Sequence, residues 1–187
     1  MDSISRRAFV RNLSLAAACV TLPPGLIRGD ADRARLAAWL RALRRDGLAS
    51  PRAPMGRAVA RVGELALGSP YKAYTLEEYL AAPGASPLRE PLTAYLTAFD
   101  CVSLVESALA IARAAAKPRP GWDGFVREIE RMRYRGGVRA GYASRLHYFS
   151  EWIADNVRRG LLRELGPELG AVEDARPLRF MSTHRSA

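Results

Sequence analysis

The sequence predicts an α+β domain in which helices outnumber strands. Of the 187 residues, 49% are hydrophobic and 8% are aromatic, which is typical of a chain that folds around one core. Several segments place apolar side chains at the three- and four-residue spacing of a buried helix face, and one segment alternates apolar and polar residues as a strand does. We therefore expect one domain over residues 30–187, preceded by a leader, residues 1–29, that lies outside the fold.

Two amphipathic helices are predicted at the start of the domain. Residues 32–46 place leucine and tryptophan on one face with arginine between them, and residues 57–67 place valine and alanine on one face. Thr75 and Glu78 have the spacing of a capping box, which predicts a short helix before the proline-rich loop 83–91.

The alternating segment, residues 92–99, is predicted to be a strand that leads to Asp100. Further helices are expected downstream, over residues 102–116, 122–132 and 144–159. A glycine-rich and aromatic stretch between the last two predicts an ordered loop. In this arrangement Asp100 is the N-cap of a helix and Cys101 lies in its first turn.

The leader has the composition of an export signal. Arg6 and Arg7 precede an apolar stretch of about ten residues, too short for a permanent membrane anchor, and prolines and a glycine follow it. With Ser5 before them and Phe9 after them, the two arginines resemble the twin-arginine signal. That resemblance implies export by the twin-arginine machinery and a periplasmic or secreted protein. An ordinary secretory signal is one alternative; a lipoprotein anchored at Cys19, which follows a short alanine run, is another.

Charge alone does not identify a partner. The chain carries 29 Lys and Arg against 19 Asp and Glu, a net charge of +10, which would suit nucleic acid, an anionic membrane or a cell-wall surface. No zinc-finger spacing or RNA-binding aromatic motif accompanies the arginines, and the export signal argues against nucleic acid. We expect no nucleic-acid partner, and membrane contact only through the leader or a lipid anchor.

Cys101 is the one cysteine outside the leader, so it has no disulfide partner in an oxidising compartment. The first turn of a helix stabilises a thiolate, which favours a nucleophile, although the charge of Asp100 opposes this unless its carboxylate is occupied in capping. A small buried core residue is the alternative. The sequence offers only His147 and His184 as a base. One cysteine and two scattered histidines have no metal-ligand spacing, so we expect no metal and no other cofactor.

Four motifs together resemble a known family. They are GSPY at 68–71, FDCVSLVE at 99–106, YRGGVRAGYASRLHYFSEWIADN at 134–156 and RFMSTH at 179–184. In this order they resemble the N-acetylmuramoyl-L-alanine amidase-like family, first catalogued as domain-of-unknown-function family 1460, which belongs to the NlpC-type papain-like cysteine peptidases. The likeness runs from about Ala58 to His184.

The resemblance implies a fold, an activity and a set of site residues. The fold would be the helix-rich part of a papain-like domain, with the nucleophile cysteine at a helix N-terminus. The activity would be hydrolysis of the amide between the muramic acid lactyl group and L-alanine in peptidoglycan or muropeptides. Cys101 matches the family's nucleophile, and Tyr71, Arg145 and His147 match motifs expected near the substrate.

The resemblance is incomplete at its C-terminal end. Members of the family continue past the FMSTH segment into a β-sheet region with the catalytic histidine and its polar partner, whereas this chain stops at Ala187. We therefore expect most of the sheet to be missing and the activity of this form to be weak or absent. His184 belongs to a different motif and is not expected to be the base. The alternative function is a non-catalytic cell-wall protein that binds muropeptides through Arg145 and the basic loop around Arg135.

Overall fold

The computed structural model describes residues 28–172, and within this range the protein is built from helices. The α-helices are α1 (Arg28–Arg45), α2 (Met55–Leu65), α3 (Cys101–Ala115), α4 (Trp122–Arg133) and α5 (Phe149–Arg158). Short 3₁₀ turns lie at Glu78–Ala81, Arg135–Gly137, Tyr142–Ser144 and Pro167–Leu169. None of the described helices combines the length and the apolar character that a membrane span requires.

Helix α3 lies at the centre of the core, where it packs against α1, α2 and α4. Its buried face is rich in alanine, and larger side chains from the neighbouring helices fill the space beside it. Leu43, Val62, Phe125 and Ile129 are all fully buried there. The helices predicted from apolar spacing are thus confirmed, although the last one begins at Phe149, because Tyr148 before it has an extended backbone.

The strand predicted over residues 92–99 is wrong. Residues 28–172 contain no β-strand; their only β-type pairings are isolated bridges, such as the parallel one between Tyr71 and Phe99. Helix side chains bond the backbone of this segment in place of a neighbouring strand. Asp32 Oδ1 accepts from the Leu96 N–H at 2.7 Å, and an Arg35 guanidinium nitrogen donates to the Leu96 carbonyl at 2.8 Å. The backbone N–H and carbonyl of Leu96 are therefore satisfied without a sheet.

The prediction of a short helix after Thr75 is also wrong in detail. A 3₁₀ turn forms at Glu78–Ala81, and no side chain caps it. The Thr75 hydroxyl instead donates to Asp100 Oδ2 at 3.2 Å, and Thr75 is buried. A local capping pattern has given way to a tertiary hydrogen bond, and this bond ties the segment after Tyr71 to the start of α3.

A buried ion pair joins α3 to α4. Arg133 donates from Nε to Glu106 Oε2 at 2.8 Å, and the two residues are only 2% and 1% exposed. The same guanidinium donates to the Thr93 carbonyl at 2.5 Å. Arg133 therefore fixes both the packing of the two helices and the segment that leads to Cys101.

Candidate active site

Asp100 caps α3 and places Cys101 as the first helical residue. Asp100 has extended backbone angles, φ −95° and ψ −179°, which break the helical path at its N-terminus. Its Oδ1 accepts from the Ser103 N–H at 2.7 Å, and the Ser103 hydroxyl oxygen accepts from the Asp100 N–H at 2.9 Å. This reciprocal arrangement is a capping box, which satisfies two donors that the first turn would otherwise leave unbonded.

Both carboxylate oxygens of Asp100 are occupied. The Ser103 hydroxyl also lies 2.8 Å from Oδ1, and the Thr75 hydroxyl donates to Oδ2. The negative charge beside Cys101 is therefore held in hydrogen bonds to the helix start and to the preceding segment.

A small cavity of about 200 Å³ opens beside Cys101, which is exposed and carries a free thiol. Its lining consists of Ala66, Ser69, Pro70, Tyr71, Phe99, Asp100, Cys101 and Leu104. Two backbone hydrogen bonds hold its walls together: Lys72 N–H donates to the Phe99 carbonyl at 2.9 Å, and Phe99 N–H donates to the Pro70 carbonyl at 3.1 Å. Tyr71 is 74% exposed at the rim.

The first turn of α3 leaves backbone donors next to the sulfur. Within residues 28–172, no protein acceptor bonds the N–H of Cys101 or of Val102, whereas the Ser103 and Leu104 N–H groups are bonded to Asp100. Free N–H groups at a helix N-terminus are suited to binding a developing negative oxygen. The exposed thiol and these two N–H groups therefore lie together at the start of α3.

Tyr74 has an unusual conformation close to this site. Its φ is +57°, which makes it the only non-glycine residue with a positive φ in the described part of the chain. Such a conformation costs a non-glycine residue about 1 kcal/mol or more. The hydrogen bond from the adjacent Thr75 to Asp100 holds the segment in place, while Tyr74 is 77% exposed.

Arg145 lies inside the protein rather than on its surface. It is 5% exposed, donates to Glu77 Oε1 at 2.7 Å, and places Nε 3.1 Å from Glu90 Oε1 without the alignment of a hydrogen bond. Its guanidinium also lies 4.9 Å from the centre of the Tyr142 ring. Burial lowers the pKa of Arg145, but the hydrogen bond to Glu77 and the two carboxylate charges outweigh it, so the pKa is raised. Arg145 thus binds the 77–90 segment to the 142–147 segment.

His147 is half-buried beside Arg145. Its Nε2 donates to the Tyr142 carbonyl at 2.8 Å, since a carbonyl oxygen can only accept, and its ring lies 4.3 Å from the Tyr142 ring. Burial lowers the pKa of His147, the Arg145 charge lowers it further, and the hydrogen bond to Tyr142 only partly offsets them. The neutral ring therefore dominates near neutral pH, with the proton on Nε2.

The structure brings only some of the predicted residues together. Tyr71 lines the cavity with Cys101, whereas Arg145 and His147 do not line it, so their expected role near the substrate stays a prediction. Arg6, Arg7, Cys19 and His184 lie outside the described residues. Among the residues that are described, no group of three His, Cys, Asp or Glu side chains is placed to hold a metal ion.

Sequence reasoning missed Thr75 and Ser103 as supports of the site. Ser103 could have been found, because it stands three residues after an aspartate N-cap, where a hydroxyl can complete a capping box. Thr75 carries no such local signal, since its partner is 25 residues away.

The chain is similar to proteins of one family. It matches a family model described as "AmiA-like: N-acetylmuramoyl-L-alanine amidase-like" over residues 61–187. An N-acetylmuramoyl-L-alanine amidase from Bacteroides uniformis is 31% identical with a TM-score of 0.59, and the match covers 70% of this chain and 51% of that one. A Bacteroides fragilis protein that carries the name of a xylanase is 38% identical with a TM-score of 0.51, over 63% and 47%.

A more distant likeness concerns the fold alone. A Legionella pneumophila protein is 22% identical with a TM-score of 0.57, over 74% of this chain and 41% of that one. No curated protein matches the sequence. The chain spans about half the length of the solved Bacteroides structures that it matches. Because the family model covers residues 61–187, which is more than half of the sequence, this chain belongs to the N-acetylmuramoyl-L-alanine amidase-like family.

Proposed function

We propose that the protein is a peptidoglycan amidase in which Cys101 is the nucleophile. The observation that carries the proposal is the placement of an exposed, unpaired thiol at the first residue of α3, beside free backbone N–H groups and a cavity. Membership of the family supports the amide between the muramoyl group and L-alanine as the bond that is cleaved. We also propose that the helices belong to a papain-like fold of the NlpC type.

The proposed reaction proceeds in two stages. The Cys101 sulfur attacks the carbonyl carbon of the amide, and the N–H groups of Cys101 and Val102 bind the oxygen that becomes negative. The carbon–nitrogen bond then breaks, the nitrogen of L-alanine leaves with the proton that the Cys101 thiol gave up, and an acyl group remains on the sulfur. Water attacks this thioester, which releases the muramoyl carboxylate and restores the thiol.

The general base of this reaction is left unassigned. His147 is the only histidine in residues 28–172, and its Nε2 proton is donated to Tyr142 rather than directed to the cavity. We propose that Asp100 and Ser103 act on Cys101 by positioning it, since their hydrogen bonds fix the start of α3. Tyr71, at the rim of the cavity, is the proposed substrate contact.

A glycosidase is not proposed, despite the name of the Bacteroides fragilis relative. Hydrolysis of a glycosidic bond generally requires two carboxyl groups about 5–10 Å apart across the bond. Asp100 supplies the single carboxylate of the cavity beside Cys101, and both of its oxygens are already hydrogen-bonded.

The experiment that tests the amidase is the release of L-alanine-headed peptide from a muropeptide. We expect release by the wild-type protein and none by Cys101→Ala. Cys101→Ser is the matched variant that keeps a nucleophilic atom of similar size. Undiminished release by Cys101→Ala would refute the assignment of the nucleophile.

A non-catalytic cell-wall-binding protein is the second candidate. The observation that favours it is that no histidine lines the described cavity beside Cys101. It predicts saturable muropeptide binding without release of peptide, weakened by Tyr71→Ala and unchanged by Cys101→Ser. Release of peptide that depends on Cys101 would exclude it.

We propose that the protein acts outside the cytoplasm. The leader sequence supports this proposal, because Arg6 and Arg7 stand before a short apolar stretch. Replacing both by lysine should leave the protein in the cytoplasm if the twin-arginine machinery exports it, and export that continues unchanged would indicate an ordinary secretory signal. Loss of membrane association in Cys19→Ala would indicate a lipoprotein.

A further inference from the structure

A large cavity among the described residues lies away from Cys101. It has a volume of about 790 Å³ and opens beside the segment that follows α3 and along α4. Its cationic lining residues are Lys117, Arg119, Arg127 and Arg131, all of them exposed. Because α3 rises about 1.5 Å per residue over its 15 residues, this cavity and Cys101 lie at opposite ends of a helix about 22 Å long.

The four cations of this cavity do not serve the fold through ion pairs. Within residues 28–172, none of them forms a salt bridge. The two glutamates in the same lining form ion pairs with other arginines: Glu128 with Arg113 at 2.7 Å, and Glu130 with Arg139 at 3.0 Å. The cavity therefore concentrates positive charge on a concave wall, which raises the local concentration of anions.

This cavity continues into a groove. A second cavity of about 380 Å³ shares Arg119, Gly124 and Arg127 with it, and a third of about 300 Å³ shares Arg33, Gly121 and Trp122 with the second. The third cavity adds further arginines from the exposed face of α1, namely Arg41 and Arg44. We call the three adjoining cavities the basic groove.

The shape of the basic groove selects the kind of ligand. The second cavity also holds one carboxylate, Asp123, but cations outnumber carboxylates in each of the three cavities. Such a row of concave cavities fits an extended chain with repeated negative groups better than a single small anion. Trp122 lies at the middle of the groove, where the Arg33 guanidinium is 4.9 Å from its ring centre, so an apolar surface interrupts the row of charges. An aromatic ring between positive charges suits a polymer that carries carboxylates together with sugar or apolar groups.

We infer that the basic groove is a second binding site for the peptidoglycan polymer, which it recognises through the carboxylates of the stem peptides. This inference rests on the proposed function for the identity of the polymer, while the groove itself is independent of Cys101. A polymer that repeats its acidic peptides can occupy the groove and the cavity at Cys101 together. A single muropeptide is held at one of the two places, so the groove favours the polymer over its fragments.

The test measures binding of the full chain to purified peptidoglycan by co-sedimentation, in a Cys101→Ala background that prevents hydrolysis. The groove variant carries Arg119→Gln, Arg127→Gln and Arg131→Gln. The matched control carries Arg52→Gln, Arg57→Gln and Arg89→Gln, which are exposed arginines of equal total charge that form no ion pair in the described range and line none of the three cavities. Circular dichroism verifies that both variants fold.

We expect the groove variant to lose affinity by about ten-fold or more, and the control to lose much less, because the groove arginines contact the polymer and the control arginines do not. Binding should fall with rising salt, and conversion of the peptidoglycan carboxyl groups to amides should abolish the difference between the two variants.

Equal losses in the two variants, or undiminished binding to the amidated polymer, would overturn the inference. So would binding confined to polyphosphate or to vesicles of anionic phospholipid, because the groove would then serve a different anion. The binding assay requires no turnover, so it can succeed where peptide release fails, and the two proposals are tested separately.

Discussion

Replacing Arg133 by methionine should destabilise the domain strongly, because it leaves the carboxylate of Glu106 buried without a partner. Glu106 is 1% exposed, and Arg133 approaches it with both Nε, at 2.8 Å, and a terminal nitrogen, at 2.7 Å. Breaking a buried pair by removing one partner costs about 3–5 kcal/mol, of which the stranded charge is the main part. The Thr93 carbonyl would lose its 2.5 Å hydrogen bond in the same variant.

The double variant distinguishes the cost of leaving one buried charge unpaired from the cost of losing the whole ion pair. Glu106→Leu alone strands the Arg133 guanidinium and should cost about as much as Arg133→Met. Glu106→Leu with Arg133→Met removes both charges and should recover most of the loss, since replacing a whole buried pair by apolar side chains is often neutral or better. The two single losses should therefore not add.

The assay is urea denaturation of the four proteins at one pH, with the free energy of unfolding extrapolated to water. Arg163→Gln is the control, because it removes an ion pair with Glu168 in which the side chains are 72% and 56% exposed, and it should cost less than about 1 kcal/mol. A loss below 1 kcal/mol in Arg133→Met, or losses that simply add in the double variant, would refute the reasoning.

Other predictions concern the helix cap, a tight turn and one titrating group. Asp100→Ala should lower the free energy of unfolding by about 1 kcal/mol, because it removes the cap of α3 and the acceptor of Thr75; an unchanged urea midpoint would contradict this. Gly141→Ala should cost more than Gly47→Ala. Both glycines have a positive φ, but only at Gly141 would a Cβ meet backbone, 2.7 Å from the Pro87 carbonyl oxygen. Equal losses in urea would contradict the clash. Burial lowers the pKa of His147 from its ordinary value of 6.5, so the unfolded chain binds more protons, and stability should fall as the pH drops from about 7 towards 5. In His147→Gln, the free energy of unfolding should differ less between the two pH values than it does in the wild-type protein. An equal difference would show that other groups cause the pH dependence.

The helices could be predicted because the residues that indicate each helix lie close together in the sequence. Helices α1 to α4 were expected from apolar residues repeated at helical spacing, and the structure confirms them with changed ends. The start of α3 at Cys101 follows from the sequence of Asp100 and Ser103, whose side chain and backbone complete a capping box within four residues.

The segments between the helices were less predictable because distant residues decide them. Residues 92–99 alternate as a strand does, but Asp32, Arg35 and Arg133 bond their backbone instead of a neighbouring strand. Thr75 has the local pattern of a cap, yet it bonds Asp100. A sequence pattern reports the preference of a segment, and tertiary partners that provide better hydrogen bonds override it.

By itself, the sequence determined the helical elements, the family and the residue proposed as nucleophile, because these depend on spacing and motifs within short stretches. Only the tertiary structure decided what surrounds that residue. It brought Thr75 and Tyr71 to Asp100 and Cys101, buried Arg145 between Glu77 and Glu90, and gathered scattered arginines into the basic groove. The physical reason is that hydrogen bonds, ion pairs and cavities form between residues far apart in the chain, whose distances are set by the packing of the helices and of the segments that connect them.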